Sequence, residues 1–316
     1  MSDILKAIRY QYPERIPAGV SILPGLWKKH PDEMREITAR FKELFGDLSE
    51  KYDYEKFTPM SYRLGKYKDE WGCEWENIEE GINAYVTGHP LPSLENIREY
   101  KIPANRDGSL PHGFMYLRIL DLMGFENAMT EFALESNELQ ILIDKIVEYN
   151  CYQVEAVVDK TGELMSFGDD LGMQNGLAIG PEKWRKYMKP AFAKIYGIAK
   201  KRGKLIYMHT DGCIYEIMPD LAETGVNMIN PQFRANGLEN LRRVCKGKIP
   251  IMLDLDRQLF PVARPDQLKD HVRECVETLY LPEGGLGLNL ELGPDVTPEN
   301  AETLIEALVK YRDYKG

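Results

Sequence analysis

No stretch of the sequence approaches the ~20 consecutive apolar residues that a membrane-crossing helix needs. The amino terminus, Met1-Ser-Asp-Ile-Leu-Lys-Ala-Ile-Arg9, lacks the apolar core of a secretory signal. A soluble, cytoplasmic protein is expected. Basic residues are in deficit: 40 Lys and Arg stand against 50 Asp and Glu, a formal net charge of −10. That balance argues against nucleic acid or an anionic membrane as the main partner, because both need clustered positive charge. The densest basic run, Lys200-Lys201-Arg202 with Lys204, crowds the end of an expected helix, where it complements the helix dipole. No Gly-x-Gly-x-x-Gly follows a strand and no P-loop motif occurs, so the usual nucleotide-binding fingerprints are missing. Cysteines are few. Cys73, Cys151, Cys213, Cys245 and Cys275 are odd in number and contain no CxxC pair, which argues against a zinc knuckle or redox pair and fits a reducing compartment.

What is present is alternation. With 316 residues and no long low-complexity linker, the chain is expected to form a single domain, 1–316, around one sizeable core. A short helix and a first strand within 14–22 open it, and Met34, Ile37, Phe41 and Leu44 mark an amphipathic helix from Pro31 to Gly46. Residues 51–115, rich in Tyr, Trp, Gly and Pro, suit a hairpin and long loops. Trp71 and Trp75 there either line a cavity or anchor the loops. Helices fill 116–160, with Ser136 as a cap. Strands then alternate with helices: Leu164–Phe167, a long helix from Gly180 to Gly203, Lys204–His209, a helix near 214–224, Asn227–Pro231, a helix near 238–245, Ile249–Asp254, a helix near 266–280, Leu286–Glu291 and a last helix from Pro298 to about Tyr311. This order argues for a parallel sheet with right-handed crossovers, and its length suits an α/β barrel, (β/α)8, better than an open sheet.

The strand ends carry the polar residues: Asp169 and Asp170, His209 and Asp211, Asn230, Asp254 and Asp256, Asn289 and Glu291. In parallel α/β folds the carboxyl ends of strands hold the active site, because the following loops converge there. Lys204-Leu-Ile-Tyr-Met-His209-Thr-Asp211-Gly212 is the clearest case, a buried strand with an imidazole and an acid at its exit. In the last strand, Leu286, Leu288 and Leu290 against the helix layer would turn Glu291 inward. An imidazole with two carboxylates can hold zinc with one position open, and without metal the same groups can shuttle protons. Asp169 and Asp254 stay divided between capping and site roles. His30, His89, His112 and His271 have no comparable setting, and Cys213 reads as a small buried residue or a soft ligand.

Taken together, Pro13-Glu-Arg-Ile-Pro17, Asp69-Glu-Trp-Gly72, Gly168-Asp-Asp-Leu-Gly172 with Gln174-Asn175-Gly176, Pro181-Glu-Lys-Trp184, His209-Thr-Asp-Gly212, Gly284-Gly285, Pro294-Asp295 and Pro298-Glu-Asn300 resemble the uroporphyrinogen decarboxylase superfamily, which also contains corrinoid-linked methyltransferases. The resemblance implies a (β/α)8 barrel with its site at the strand carboxyl ends, and the N-terminal hairpin and loops of 51–115 are expected to lie across one mouth of it. The decarboxylases carry an arginine-rich motif resembling R-Q-A-G-R. Val20-Ser-Ile-Leu-Pro-Gly-Leu-Trp27 has no arginine in the corresponding region, which argues against porphyrinogen decarboxylation. The methyltransferases hold zinc with a His-x-Cys pair and a later cysteine. Here His209 matches, Asp211 stands in the first cysteine's place, and Leu290 or Glu291 in the second's. The resemblance therefore implies an oxygen- and nitrogen-ligated zinc held by His209, Asp211 and Glu291, suited to a methyl ether. The corrinoid acceptor would be carried by a separate protein. His209 and Asp170 are the expected catalytic residues, and Trp71, Asp169, Gln174 and Asn175 the expected substrate contacts. A metal-free decarboxylase or lyase acting on a small carboxylated substrate, with Asp170 and His209 moving protons, is the alternative. A non-catalytic small-molecule binding protein is a third reading.

Overall fold

The computed structural model describes all 316 residues. Nine strands run in chain order as β1 (Ala18–Ile22), β2 (Gly65–Lys68), β3 (Glu74–Asn77), β4 (Tyr85–Gly88), β5 (Leu164–Gly168), β6 (Leu205–Thr210), β7 (Met228–Pro231), β8 (Ile251–Asp254) and β9 (Leu286–Leu292). The fold is α/β. Six of these strands lie in parallel pairings, and the short strands β2, β3 and β4 form the expected hairpin elaboration in a sheet of their own. No helix is long and apolar enough to cross a membrane.

The chain divides into two compact units. The first comprises Met1–Lys66, Glu76–Tyr85 and Gly237–Gly316. In it β9 lies between β1 and β8, with Ala18 opposite Leu288 and Asp254 opposite Asn289. All four residues of β8 are buried, and in β9 the leucines are buried while Asn289 and Glu291 are half-exposed. That is the alternation expected from the sequence. Helices Pro265–Leu279 and Pro298–Arg312 pack on each other, and the Thr297 side chain accepts the Asn300 amide at the start of the second. The expected helix from Pro31 to Gly46 stops at Arg40, and Lys42–Phe45 forms a separate turn. The buried Thr38 hydroxyl bonds back to the carbonyls of Met34 and Arg35, competing with the helical ladder just before the break.

The second unit comprises Tyr67–Trp75 and Val86–Asn236. Here β6 lies between β5 and β7, all parallel, with Gly168 opposite His209 and His209 opposite Asn230. Ser136 caps the Asn137–Val157 helix through the Leu139 amide. The long helix expected after Gly180 is interrupted by a π turn at Trp184–Met188 before resuming as Lys189–Lys201. Pro190 explains the widening: it brings no N–H, and its ring would clash with the carbonyl of Lys186 in a regular α-turn. The helix expected near 214–224 begins only at Met218, with proline in its first turn.

Candidate functional site

Two consecutive aspartates at the end of β5 take opposite roles. Asp169 is fully buried. Its Oδ2 accepts the amides of Met115 and Tyr116, and its Oδ1 that of Leu117 at 2.9 Å. These are amides at the start of the Tyr116–Met123 helix, which have no acceptor within the helix itself. Burial pushes the Asp169 carboxyl above the usual carboxylate range, against the lowering effect of the Leu117 and Tyr116 amides. Expected among the substrate contacts, Asp169 instead holds this helix start against the end of β5. Asp170, one residue on, is half-exposed, and its Oδ1 accepts the Asp211 amide at 3.1 Å.

His209 stands at the corresponding level of β6. Its Nδ1–H donates to Asn230 Oδ1 at 2.7 Å, across the β6–β7 register that sets the two residues side by side. This bond selects the tautomer and turns Nε2 toward two carboxylates, Asp211 Oδ1 at 3.3 Å and Asp170 Oδ1 at 4.0 Å. A neutral imidazole would aim a lone pair at them. A cation on Nε2, proton or metal, removes the repulsion.

Glycines let the loops behind these residues meet. A Cβ on Gly172 would lie 2.5 Å from the Cys213 nitrogen, and one on Gly212 would lie 2.1 Å from the Gly172 oxygen. The contact is bonded as well as close: the Gly172 amide reaches the Asp211 carbonyl, and the Cys213 amide the Met173 carbonyl. The Leu171 amide donates to Thr210 Oγ1, the Gly212 amide to Gln232 Oε1 and the Ile214 amide to Asn236 Oδ1. Asp170, His209 and Asp211 thus stand on a backbone platform with little freedom. Cys213 is buried within it.

The structure corrects the reading of His112. Its Nε2 lies 3.1 Å from Asp170 Oδ2, and its ring lies 5.5 Å from that of His209. Burial pulls the His112 imidazolium pKa down, but the hydrogen bond to Asp170 and that residue's charge outweigh it and raise the net value above an ordinary histidine. Ligand atoms of His112, Asp170 and His209 all lie within 4.8 Å of one another, a spacing a divalent ion can bridge. Gly168 makes the approach possible, since a Cβ there would lie 2.7 Å from His112 Nδ1, a relation that only the folded chain reveals.

The other expected site residues are placed differently. Gln174 and Asn175 are exposed at the tip of a turn closed by Met173 and Gly176. Trp71 is buried, edge-on to Tyr149, with the Arg118 guanidinium over its ring. It packs beside the Asp69 turn, in which Asp69 accepts the amides of Trp71 and Cys73, Trp75 Nε1 and Arg118. Glu291, in the first unit, is ion-paired with Arg257. There, too, Asn289 donates to Asp254 Oδ1 at 2.6 Å, and His271 Nε2 accepts the Asp256 amide, a packing role.

Near Trp71, burial pushes the Asp121 carboxyl up to about 6 against the opposing charge of Arg118. A carboxyl raised on folding contributes stability that is complete below its unfolded value and is lost as pH rises through the folded one. Stability measured by denaturant unfolding is expected to fall between pH 4 and 7 by up to about 3 kcal/mol from this group. Asp121→Asn should flatten that slope. An unchanged slope would show that Asp121 does not titrate in this range.

The family model described as uroporphyrinogen decarboxylase (URO-D) matches residues 119–311, more than half of the chain. A search of curated proteins found no match. Among solved structures, a methyltransferase from Methanosarcina mazei superposes with a TM-score of 0.67 at 16% identity, covering 98% of each chain. A sugar phosphate isomerase/epimerase from Parabacteroides distasonis ATCC 8503 aligns over 94% of this chain and 95% of that one at 12% identity, but its TM-score of 0.39 is too low to define a shared fold. The first likeness is one of fold. With the family match, it leads to one conclusion: this chain belongs to the uroporphyrinogen decarboxylase family.

Proposed function

We propose that this protein is a cytoplasmic, zinc-dependent methyltransferase that moves a methyl group from a small methoxylated or methylated compound to a corrinoid carried by a separate protein, on a closed (β/α)8 barrel. The observation that carries the reading is the setting of His209 Nε2, held by Asn230 so that it faces Asp211 at 3.3 Å and Asp170 at 4.0 Å. Such a site calls for a cation. The M. mazei neighbour, itself described as a methyltransferase, supports the class of reaction.

The donor set fits zinc: an imidazole nitrogen whose other N–H is hydrogen-bonded, beside carboxylate oxygens, is a common arrangement of zinc ligands. His209 would hold the metal with Asp211 and Asp170. Glu291 has Arg257 as its charge partner, so it is the weakest member of the expected ligand set. When bound, zinc would supply Lewis acidity to the oxygen of a methyl ether. The chain's own residues do the rest. Asn230 keeps the His209 tautomer and ring orientation, and the Asp211 amide fixes Asp170. Gln174 and Asn175, exposed on their turn, would be the contacts to a substrate or the corrinoid carrier.

A second reading rests on the His112–Asp170 bond. An imidazolium stabilised by Asp170, beside His209, is a proton donor and acceptor pair, as a metal-free lyase acting on a small carboxylated substrate would need. Metal content separates the two. Protein purified without a histidine tag or added metal is expected to carry about one zinc per chain, lost in His209→Ala and kept in Glu291→Ala. A chain that holds no zinc and takes up none when it is supplied would end the zinc reading and leave the proton-transfer one.

A further inference from the structure

The same site offers a donor that the family resemblance did not supply. We infer that His112 is a direct ligand of the divalent metal, so that the site is built on two imidazoles, and that it provides the donor left wanting where Asp211 and Glu291 stand in place of cysteines. This rests on the zinc reading above and assigns a residue within it.

The geometry argues for contact. Donor atoms around a tetrahedral zinc lie about 3.3 Å apart, given bonds of about 2.0 Å. His112 Nε2 and Asp170 Oδ2 are 3.1 Å apart, and His209 Nε2 and Asp211 Oδ1 are 3.3 Å apart. The gap to close is between those pairs, where His209 Nε2 and Asp170 Oδ1 stand at 4.0 Å. All four residues belong to the second unit. Three of them rise from the glycine-locked platform, and the fourth can approach because Gly168 has no side chain: a Cβ there would lie 2.7 Å from His112 Nδ1. His112 is the less enclosed of the two imidazoles, with 45% of its side chain exposed against 25% for His209. Metal on His112 Nε2 would displace any proton that nitrogen carries, releasing it to solvent. Asp170 would then trade a hydrogen bond for a coordinate bond, and no electron changes hands.

Cobalt(II) in place of zinc reports the ligand directly. His112→Cys loaded with cobalt is expected to gain a sulfur-to-cobalt charge-transfer band in the near ultraviolet that the cobalt-loaded wild type does not show, because only a residue touching the metal can produce it. His112→Ala, tested by competition with a chelator of known affinity, should bind zinc roughly 100-fold more weakly or worse, with its circular dichroism unchanged. No new band in His112→Cys would overturn the assignment of His112 while leaving a zinc site at His209 standing. A wild-type chain that takes up neither cobalt nor zinc would overturn the inference and the zinc reading together.

Discussion

A Gly212→Ala chain is expected not to accumulate as folded protein. Gly212 has φ +84°, in the region that favours glycine, and an added Cβ would lie 2.1 Å from the Gly172 oxygen and 2.2 Å from its carbonyl carbon. The left-handed conformation alone costs a non-glycine residue roughly 1–2 kcal/mol. The overlap is with backbone, so no side chain can rotate away. Moving the Gly172 loop would break the bonds by which Gly172 and Cys213 hold the two strand exits together. The total is expected to exceed about 4 kcal/mol, a large share of a typical domain's margin. Soluble yield and urea unfolding measure it. Gly197→Ala is the control: it lies within the Lys189–Lys201 helix with nothing within 4 Å of its Cβ position, and should stabilise the chain by about 0.5–1 kcal/mol. A Gly212→Ala protein as stable as wild type would mean that the loops do not cross as described.

His209→Ala should do the opposite, leaving the fold and removing the chemistry. The side chain is a quarter exposed, 25%, and the substitution removes its hydrogen bond to Asn230. The loss of stability is therefore expected to stay near 1–2 kcal/mol. The proposed turnover, measured as methylation of a reduced corrinoid protein with a methyl ether donor, is expected to fall at least about 1,000-fold, equivalent to about 4 kcal/mol of transition-state stabilisation. Retained turnover in a folded His209→Ala protein would remove His209 from the chemistry and with it the proposed function.

Local patterns in the chain carried far. Alternation in Leu286–Leu292 and Leu205–Thr210 marked two strands and their faces, because period-two side-chain placement is a property of the strand itself. Gly203, Ser136 and the prolines near helix starts marked boundaries for a similar reason: the groups they satisfy or withhold lie within one turn. Pro190 also stood in plain view, yet its effect was missed, since a proline inside a long amphipathic pattern can kink, widen or end a helix.

What the sequence determined by itself is the class of fold, the strand exits at which polar residues gather and the glycine-flanked motifs Gly168–Gly172 and His209–Gly212. All of these rest on interactions between residues close in the chain. The tertiary structure alone decided which of those polar groups meet. It put His112 beside Asp170, 58 positions apart by their numbering, in a space left by a missing Cβ at Gly168. It gave Glu291 an arginine for a partner. It divided Asp169 from Asp170, identical neighbours in the chain, because successive side chains leave a strand end in opposite directions: one met the amides of a helix start and was buried, and the other faced the imidazoles.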